Sequence, residues 1–521
     1  MKKKIAILGV ASALVAVVLA ACSDQLEQDV NGVSSIETFY ATDEDAELAI
    51  IATYDMLTAD NLFDWASPTL IKTLPSDEGT AGGGNDTDQP RYQALDNFTW
   101  DSANPAIQAT WQVNFYGIFR ANMIIQNLEP ENDLRKRIIG EAKALRAYYY
   151  LELVTQFGDL PLVLKGLEPT EFNQARVPKA NIYAQIETDA TEAAAALPNK
   201  SDYSAGDQFR ASKGMAYALL GKVLLYQARY TEAAAAFENV TGYGLVPNYA
   251  DVFKDAEEFG SESVLEASFS SKVPYDWNYP WGTRFENNLH VQLMGARAGS
   301  TPELGLIAGW GFNYPSEKLW DAFNTMGDTE RRDATMFSEA QYLTYKSTDP
   351  DFDGSTWWDY NRYFRLKYGS FDAETNQDGA PKELNYGTNW RLIRYADVLL
   401  LKAEAYAMAN QDGPAQAALN EVRARAGLAD VTATGDALMA AIRNERFVEL
   451  AFEGHRYFDL IRWGEAIANA ELGVQVPATF SGGDPAHYGD NFNYGTHQVF
   501  PIPISDIAAA TNMTQNPGYG N

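Results

Sequence analysis

The sequence predicts a mostly α fold, a tetratricopeptide-like helical-repeat superhelix carrying a loop-rich aromatic lobe. Three observations predict it. Apolar residues recur at three-to-four spacing through most of the chain. Small and large residues alternate at positions that fit a unit of about 34 residues made of two helices. Between roughly 241 and 390 this period gives way to Gly, Pro, Asn, Asp and aromatic residues.

The chain opens with Lys2, Lys3 and Lys4, then an apolar stretch from Ile5 to Val18 broken only by Gly9 and Ser12, then Leu19, Ala20, Ala21 and Cys22. Charge, apolar core and small residues in that order form an export signal. Small residues placed directly before a cysteine resemble the lipobox of bacterial lipoproteins, which makes Cys22 the lipidated first residue of the mature chain. It is the one cysteine present, so no disulfide competes for it. The expected organisation is a signal peptide over 1–21, the lipidated cysteine and an acidic tether over 22–36, and a single domain over 37–521. No later stretch is apolar enough to span a membrane.

Helical periodicity covers 43–58, 106–128, 133–157, 180–197, 209–228, 230–240, 316–324, 391–410, 414–426, 436–452 and 455–468. Strand signals are confined to 262–269 and 362–368. The best repeat unit lies at 217–240, where Gly221 and Ala233 let two helices approach and Tyr217, Leu220, Leu224 and Phe237 fill the groove between them. A looser copy uses Leu399, Ala403, Tyr406, Ala415, Leu419 and Val422, with Gln411, Asp412 and Gly413 as its turn. Alternation over 141–157 suggests a third. Such units bury their faces only by stacking.

Charge limits the partners. With 40 Lys plus Arg against 70 Asp plus Glu the chain carries a formal charge of −30. It has no basic run outside the leader, which argues against nucleic acid and disfavours an anionic lipid surface as ligand. Glu445, Glu449 and Glu453 recur every four residues and could in principle bind metal or act as acid and base. The neighbouring Arg443, Arg446, Arg456 and Arg462 favour a semi-buried ion-pair ladder instead. Only four histidines are present, and His455 lacks a second histidine at ligand spacing, so neither a metal cluster nor a catalytic triad is expected. Asp349, Asp351 and Asp353, followed by Gly354, imitate the opening of a calcium loop. Tyr360 stands where the closing glutamate belongs, which leaves structural calcium a weak candidate and no other cofactor.

Aromatic residues are the richer signal. Tyr275, Trp277, Tyr279 and Trp281 alternate between Pro274 and Pro280, so an extended backbone puts their rings on one side at intervals of roughly 6.6 Å. A ring platform of this kind stacks on the C–H faces of sugars while Asp276, Asn278, Arg284 and Asn287 take hydroxyls. The alternative is an aromatic seam packed under a loop. Trp310, between Gly309 and Gly311, is a further candidate, although that setting favours a packing corner. Trp320 falls on an apolar helix face with Phe323 and belongs to the core. Trp357 and Trp358 are adjacent in an acidic loop, and one of two adjacent indoles must point outward.

Three runs, GEAKALRAYYYLELVTQFGDLPLV (140–163), RYADVLLLKAEAYA with LNEVRARAGL (394–428) and ERFVELAFEGHRYFDLIRW (445–463), closely resemble the SusD/RagB family. FPIPISDI and TQNPGY (500–519) complete the match in the family's order. The resemblance implies a SusD-like fold with four tetratricopeptide-like pairs and a surface-exposed outer-membrane lipoprotein of Bacteroidetes. It further implies a SusC-like TonB-dependent transporter as partner and an oligosaccharide, or sometimes a peptide, as ligand. By location alone it points to the loop over 75–100 as part of the ligand site, which adds Asp77, Asn85, Arg91 and Tyr92 as candidates, Asp77 foremost. The function expected is glycan capture for delivery to the transporter, without catalysis. The alternatives are a RagB-like peptide receptor and, behind it, a glycoside hydrolase.

Overall fold

Helices make up the body, and local chemistry sets their ends. The structure, a computed structural model, describes residues 39–59, 67–85, 87–272, 275–277, 288–297, 301–345, 362–473 and 491–520. Helix Asp43–Tyr54 starts where the Thr42 side chain accepts from the Asp45 N–H, with Asp43, Glu44 and Asp45 in its first turn. That arrangement satisfies an orphan donor and complements the helix dipole. Pro105–Asn127 begins with proline behind an Asn104 cap, and Asp133–Phe157 begins behind Asn132 and stops at Gly158, whose φ of 74° ends the helix. Lys179–Ala196 and Lys213–Tyr226 follow, then Tyr230–Phe237, and, after the lobe, Tyr395–Met408, Asp412–Arg425 and Gly435–Glu449.

The repeat reading holds at atomic scale. A Cβ added to Gly221 would meet the Phe237 ring at 2.6 Å, so this helix pair packs at a distance that only glycine permits. Ala233, Leu224 and Phe237 are buried around the contact, and Leu399, Ala403, Ala415, Leu419 and Val422 occupy the equivalent core of the second pair. Trp320 is half-buried and stacks on Tyr363 at 4.9 Å, while Phe323 is fully buried.

Two short antiparallel strand pairs tie the lobe to this body, β1 (Gly79–Gly82) with β3 (Phe312–Pro315) and β2 (Ser263–Ala267) with β6 (Trp390–Arg394), and a third, β4 (Met336–Ser338) with β5 (Tyr363–Arg365), lies within the lobe. Residues 391–394 were expected to open a helix. They form β6, because pairing with β2 leaves its backbone groups no reason to coil, and the helix starts at Tyr395. The 455–468 segment is two helices, Arg456–Arg462 and Glu465–Leu472, separated at Gly464 with φ 103°. The helix over 436–452 ends at Glu449, so Glu453 lies beyond it in a turn.

The carboxylate ladder is compensated, but by cations other than those expected and at full burial. Arg331 reaches Glu445 at 2.7 Å and Glu449 at 2.8 Å, Arg423 reaches Glu445 at 2.8 Å, and Arg394 and Arg425 close on Glu449. Glu453 holds Arg394 and Lys367, each at 2.6 Å. Burial alone would raise the Glu449 carboxyl, and Arg425, Arg394 and Arg331 override it and hold it far below the usual carboxylate range. Arg446 turns to Asp397 and Asp459, Arg462 to Glu404 and Asp459, and Arg456 to Asp77, while Arg443 lies over the Trp463 ring. Helical spacing names the neighbours on one helix; the pairs here join separate elements, some helix to helix as in Arg423–Glu445 and some helix to lobe as in Arg331–Glu449. Among the described residues no group of three or more His, Cys, Asp or Glu is placed to hold a metal ion, and no helix is long and apolar enough to cross a membrane.

Candidate functional site

The site is built from the backbone around Trp310. The Gly309 N–H donates to the Ala296 carbonyl at 2.8 Å, the Trp310 N–H to Gln292 at 2.9 Å and the Gly311 N–H to Gly295 at 2.8 Å, while the Gly311 carbonyl accepts from Gly83 at 2.8 Å. Such lacing requires two backbones to touch: a Cβ on Gly309 would collide with Gly295, and Gly311 has φ 73°. Arg297 adds a clamp, donating from Nη1 to the Trp310 carbonyl at 3.0 Å and lying 3.5 Å from the Asp88 carboxylate. Asp88 in turn accepts from the Gly84 N–H at 2.7 Å. The backbone at Trp310 is therefore held in place before any ligand arrives, and its side chain is half-buried against the core.

Trp277 completes the pair. It is 37% exposed, large for an indole, and its ring centroid lies 6.3 Å from that of Trp310 with the planes 34° apart. Two rings inclined this way form a shallow cradle. Tyr275, half-buried, is fixed by its N–H donating to Asn385 Oδ1 at 2.7 Å, and Asn385 Nδ2 donates back to the Tyr275 carbonyl at 3.0 Å. The structure thus brings together Tyr275, Trp277 and Trp310. Trp310 packs against the core as a packing corner would and stays partly open.

The early loop departs from expectation. Asp77, the foremost candidate, is no ligand-binding group: its side chain is 5% exposed and holds Arg456 through two bonds at 2.7 and 2.8 Å and Lys318 at 2.6 Å. Burial would raise its carboxyl, but Arg456 and Lys318 reverse that and hold it at about 2. Tyr92 is fully buried, its hydroxyl accepting from the Ser67 N–H at 3.1 Å and its ring edge-on to Phe312. Both are scaffold, pulled inward because β1 pairs with β3 and brings this loop over the core. Arg91 is half-buried, its carbonyl accepting from Asn104. Asn85 is exposed, with its Oδ1 accepting from the Thr87 N–H and hydroxyl. Cys22, Tyr279, Trp281, Asp349, Asp351, Asp353, Trp357 and Trp358 lie outside the described residues.

Sequence reasoning missed Arg297, Asp88 and Gln292 as supports of the platform. The glycines at 295, 309 and 311 were the available signal, because glycines near one aromatic residue mark close backbone approach.

A family model described as "SusD family" matches residues 372–519, and one described as "Starch-binding associating with outer membrane" matches 59–225. The chain is 25% identical to "SusD-like protein P2" of Formosa agariphila, over 96% of this chain and 97% of that one. Among solved structures it superposes on a "Laminarin binding SusD-like protein" with TM-score 0.79 and 31% identity, covering 91% of this chain and 99% of the other. A "Surface glycan-binding protein A" from Bacteroides thetaiotaomicron in complex with laminarihexaose matches with TM-score 0.79 at 25% identity, over 91% and 99%.

Proposed function

The chain belongs to the SusD family, and we propose that it captures a neutral glucan at the cell surface and passes it to a SusC-like TonB-dependent transporter. The observation that carries this reading is the Trp277–Trp310 cradle: an exposed indole beside one whose backbone is locked by hydrogen bonds. A preformed aromatic surface loses little freedom on binding, which suits capture of a flexible chain at low concentration. Laminarin is the first glucan to test, because two of the matched structures are named for laminarin or hold laminarihexaose. The role is binding without catalysis, in keeping with relatives whose names describe binding.

In this reading Cys22 carries the lipid that fixes the protein to the outer membrane, and the helical-repeat body docks on the transporter. Asn85, Arg91, Tyr279, Trp281, Trp357 and Trp358 are assigned to the rim of the ligand site on sequence grounds, and calcium at Asp349, Asp351 and Asp353 is a proposal of the same kind. Calorimetric titration of the lipid-free protein with laminarihexaose tests the ligand: saturable heat is expected, and its absence with saturable heat from a peptide pool would favour the RagB-like reading. Replacing Cys22 by Ala should move the protein out of the outer-membrane fraction, and unchanged membrane association would refute the anchor.

A further inference from the structure

A cavity of about 380 Å³ opens beside the platform, between the end of helix Asp43–Tyr54, β2 and the segment 384–386, within the range of about 300–1,000 Å³ typical of small-ligand sites. The two are joined. Tyr275, two residues before Trp277, lines the cavity. Tyr386, on its wall, donates from its hydroxyl to Gln292 Oε1 at 3.1 Å, and the carbonyl of the same Gln292 accepts from the Trp310 N–H.

The wall states what it would take. Phe209 and Phe259 join the two tyrosines in giving it ring surface, as a pyranose face requires. Among its described lining residues there is no lysine or arginine, whereas Asp55, which pairs with Arg120 at 2.8 Å, and Glu266 are present, so an anionic group would meet carboxylates and no cation on the described wall. Two buried wall residues also have acceptor oxygens with no hydrogen-bond partner. Asn288, 1% exposed, donates from Nδ2 to the Thr388 carbonyl at 2.7 Å and leaves Oδ1 unpartnered. Glu266, 4% exposed, accepts on Oε2 from Phe259 and Asn389, and its Oε1 has only the Arg391 guanidinium at 3.5 Å and no hydrogen bond. A wall rich in rings and acceptors, and poor in cations, favours a ligand that brings donors: hydroxyl groups on an uncharged ring.

We infer that this cavity is a second subsite, taking one neutral hexopyranose unit, an end group or side branch of the glycan whose main chain lies across Trp277 and Trp310. The inference rests on the glycan reading above and adds to it a selection against uronic and sulfated sugars.

The test uses methyl β-D-glucopyranoside, methyl β-D-glucuronide and laminarihexaose as probes of the full chain without its lipid. Binding of the two glycosides is read by saturation-transfer NMR, and hexasaccharide binding by tryptophan fluorescence. The glucoside should bind, with the glucuronide at least about tenfold weaker. Ser268→Phe, a substitution at an exposed serine on the cavity rim, should cost at least about tenfold for the glucoside while the hexasaccharide still perturbs tryptophan emission. Ser270→Phe, at the same rim, stands in if Ser268→Phe does not give the native circular dichroism spectrum. Glucoside binding untouched by a folded rim variant, or equal binding of glucuronide and glucoside, would overturn the subsite. A hexasaccharide that binds while the glucoside does not would overturn the subsite alone; failure of both would take the glycan reading with it.

Discussion

Removing the Trp277 ring tests how the platform works. The indole is 37% exposed; of about 250 Å² for a tryptophan, roughly 90 Å² is available for a sugar to cover. At about 25 cal/mol per Å² that surface is worth about 2.3 kcal/mol on full coverage, or about fiftyfold in Kd. Trp277→Ala should therefore weaken laminarihexaose by a factor approaching fifty in calorimetry. The fold should barely notice, because the substitution opens no core cavity: surface changes stay within about 0.5 kcal/mol, or less than about 2 °C in Tm. A loss under about threefold with unchanged Tm would mean that the ring does not meet the ligand. A Tm fall of about 5 °C or more would mean that the Trp277 ring packs against the fold.

Gly221→Leu should lower the melting temperature by overpacking the helix pair, since even a Cβ would stand 2.6 Å from the Phe237 ring; the cost is about 1–3 kcal/mol by urea unfolding, and a neutral result would refute the repeat contact. Asp77→Ala should cost about 3–5 kcal/mol because it leaves the buried Arg456 without its bidentate partner; an undiminished unfolding midpoint would return Asp77 to the ligand site. Because the Asp77 carboxyl is held down at about 2 in the folded state, its contribution is present above the unfolded value of about 4 and is lost as pH falls towards 2; Asp77→Asn should flatten the stability profile in that window. His455 and His497 are both lowered to about 4, chiefly by burial, so the contribution of each is complete above about pH 6.5 and lost as pH falls to 4; His455→Gln should reduce that slope in urea midpoints taken from pH 7 to 4. Arg297→Met should weaken laminarihexaose about fivefold through the lost hold on the Trp310 carbonyl, with Tm unchanged; equal affinity would show that the glycine lacing alone suffices.

The helical body was legible because its period is long and its contacts are local. Gly221 and Ala233 could be read as a close helix pair from spacing alone, and the Phe237 contact followed. Trp277 was singled out by its alternation with Tyr275, and it is among the exposed large hydrophobic residues. What was not legible depends on contacts between distant segments. Asp77 looks available in a loop sequence and becomes internal only because Arg456, far along the chain, folds onto it. The ladder at Glu445, Glu449 and Glu453 was rightly read as ion-paired, yet its cations come from Arg331, Lys367, Arg394, Arg423 and Arg425 on other elements. Strand β6 hid inside a helix-like run because burial on both faces erases the alternation that marks a strand.

The most direct test of the account is retention of the lipid-free protein, residues 23–521, on a panel of immobilised neutral, uronic and amino-sugar glycans with a peptide pool alongside. The account predicts retention on a neutral glucan, laminarin first, and elution by laminarihexaose. Retention only on peptide, or only on a uronic polymer, would contradict it.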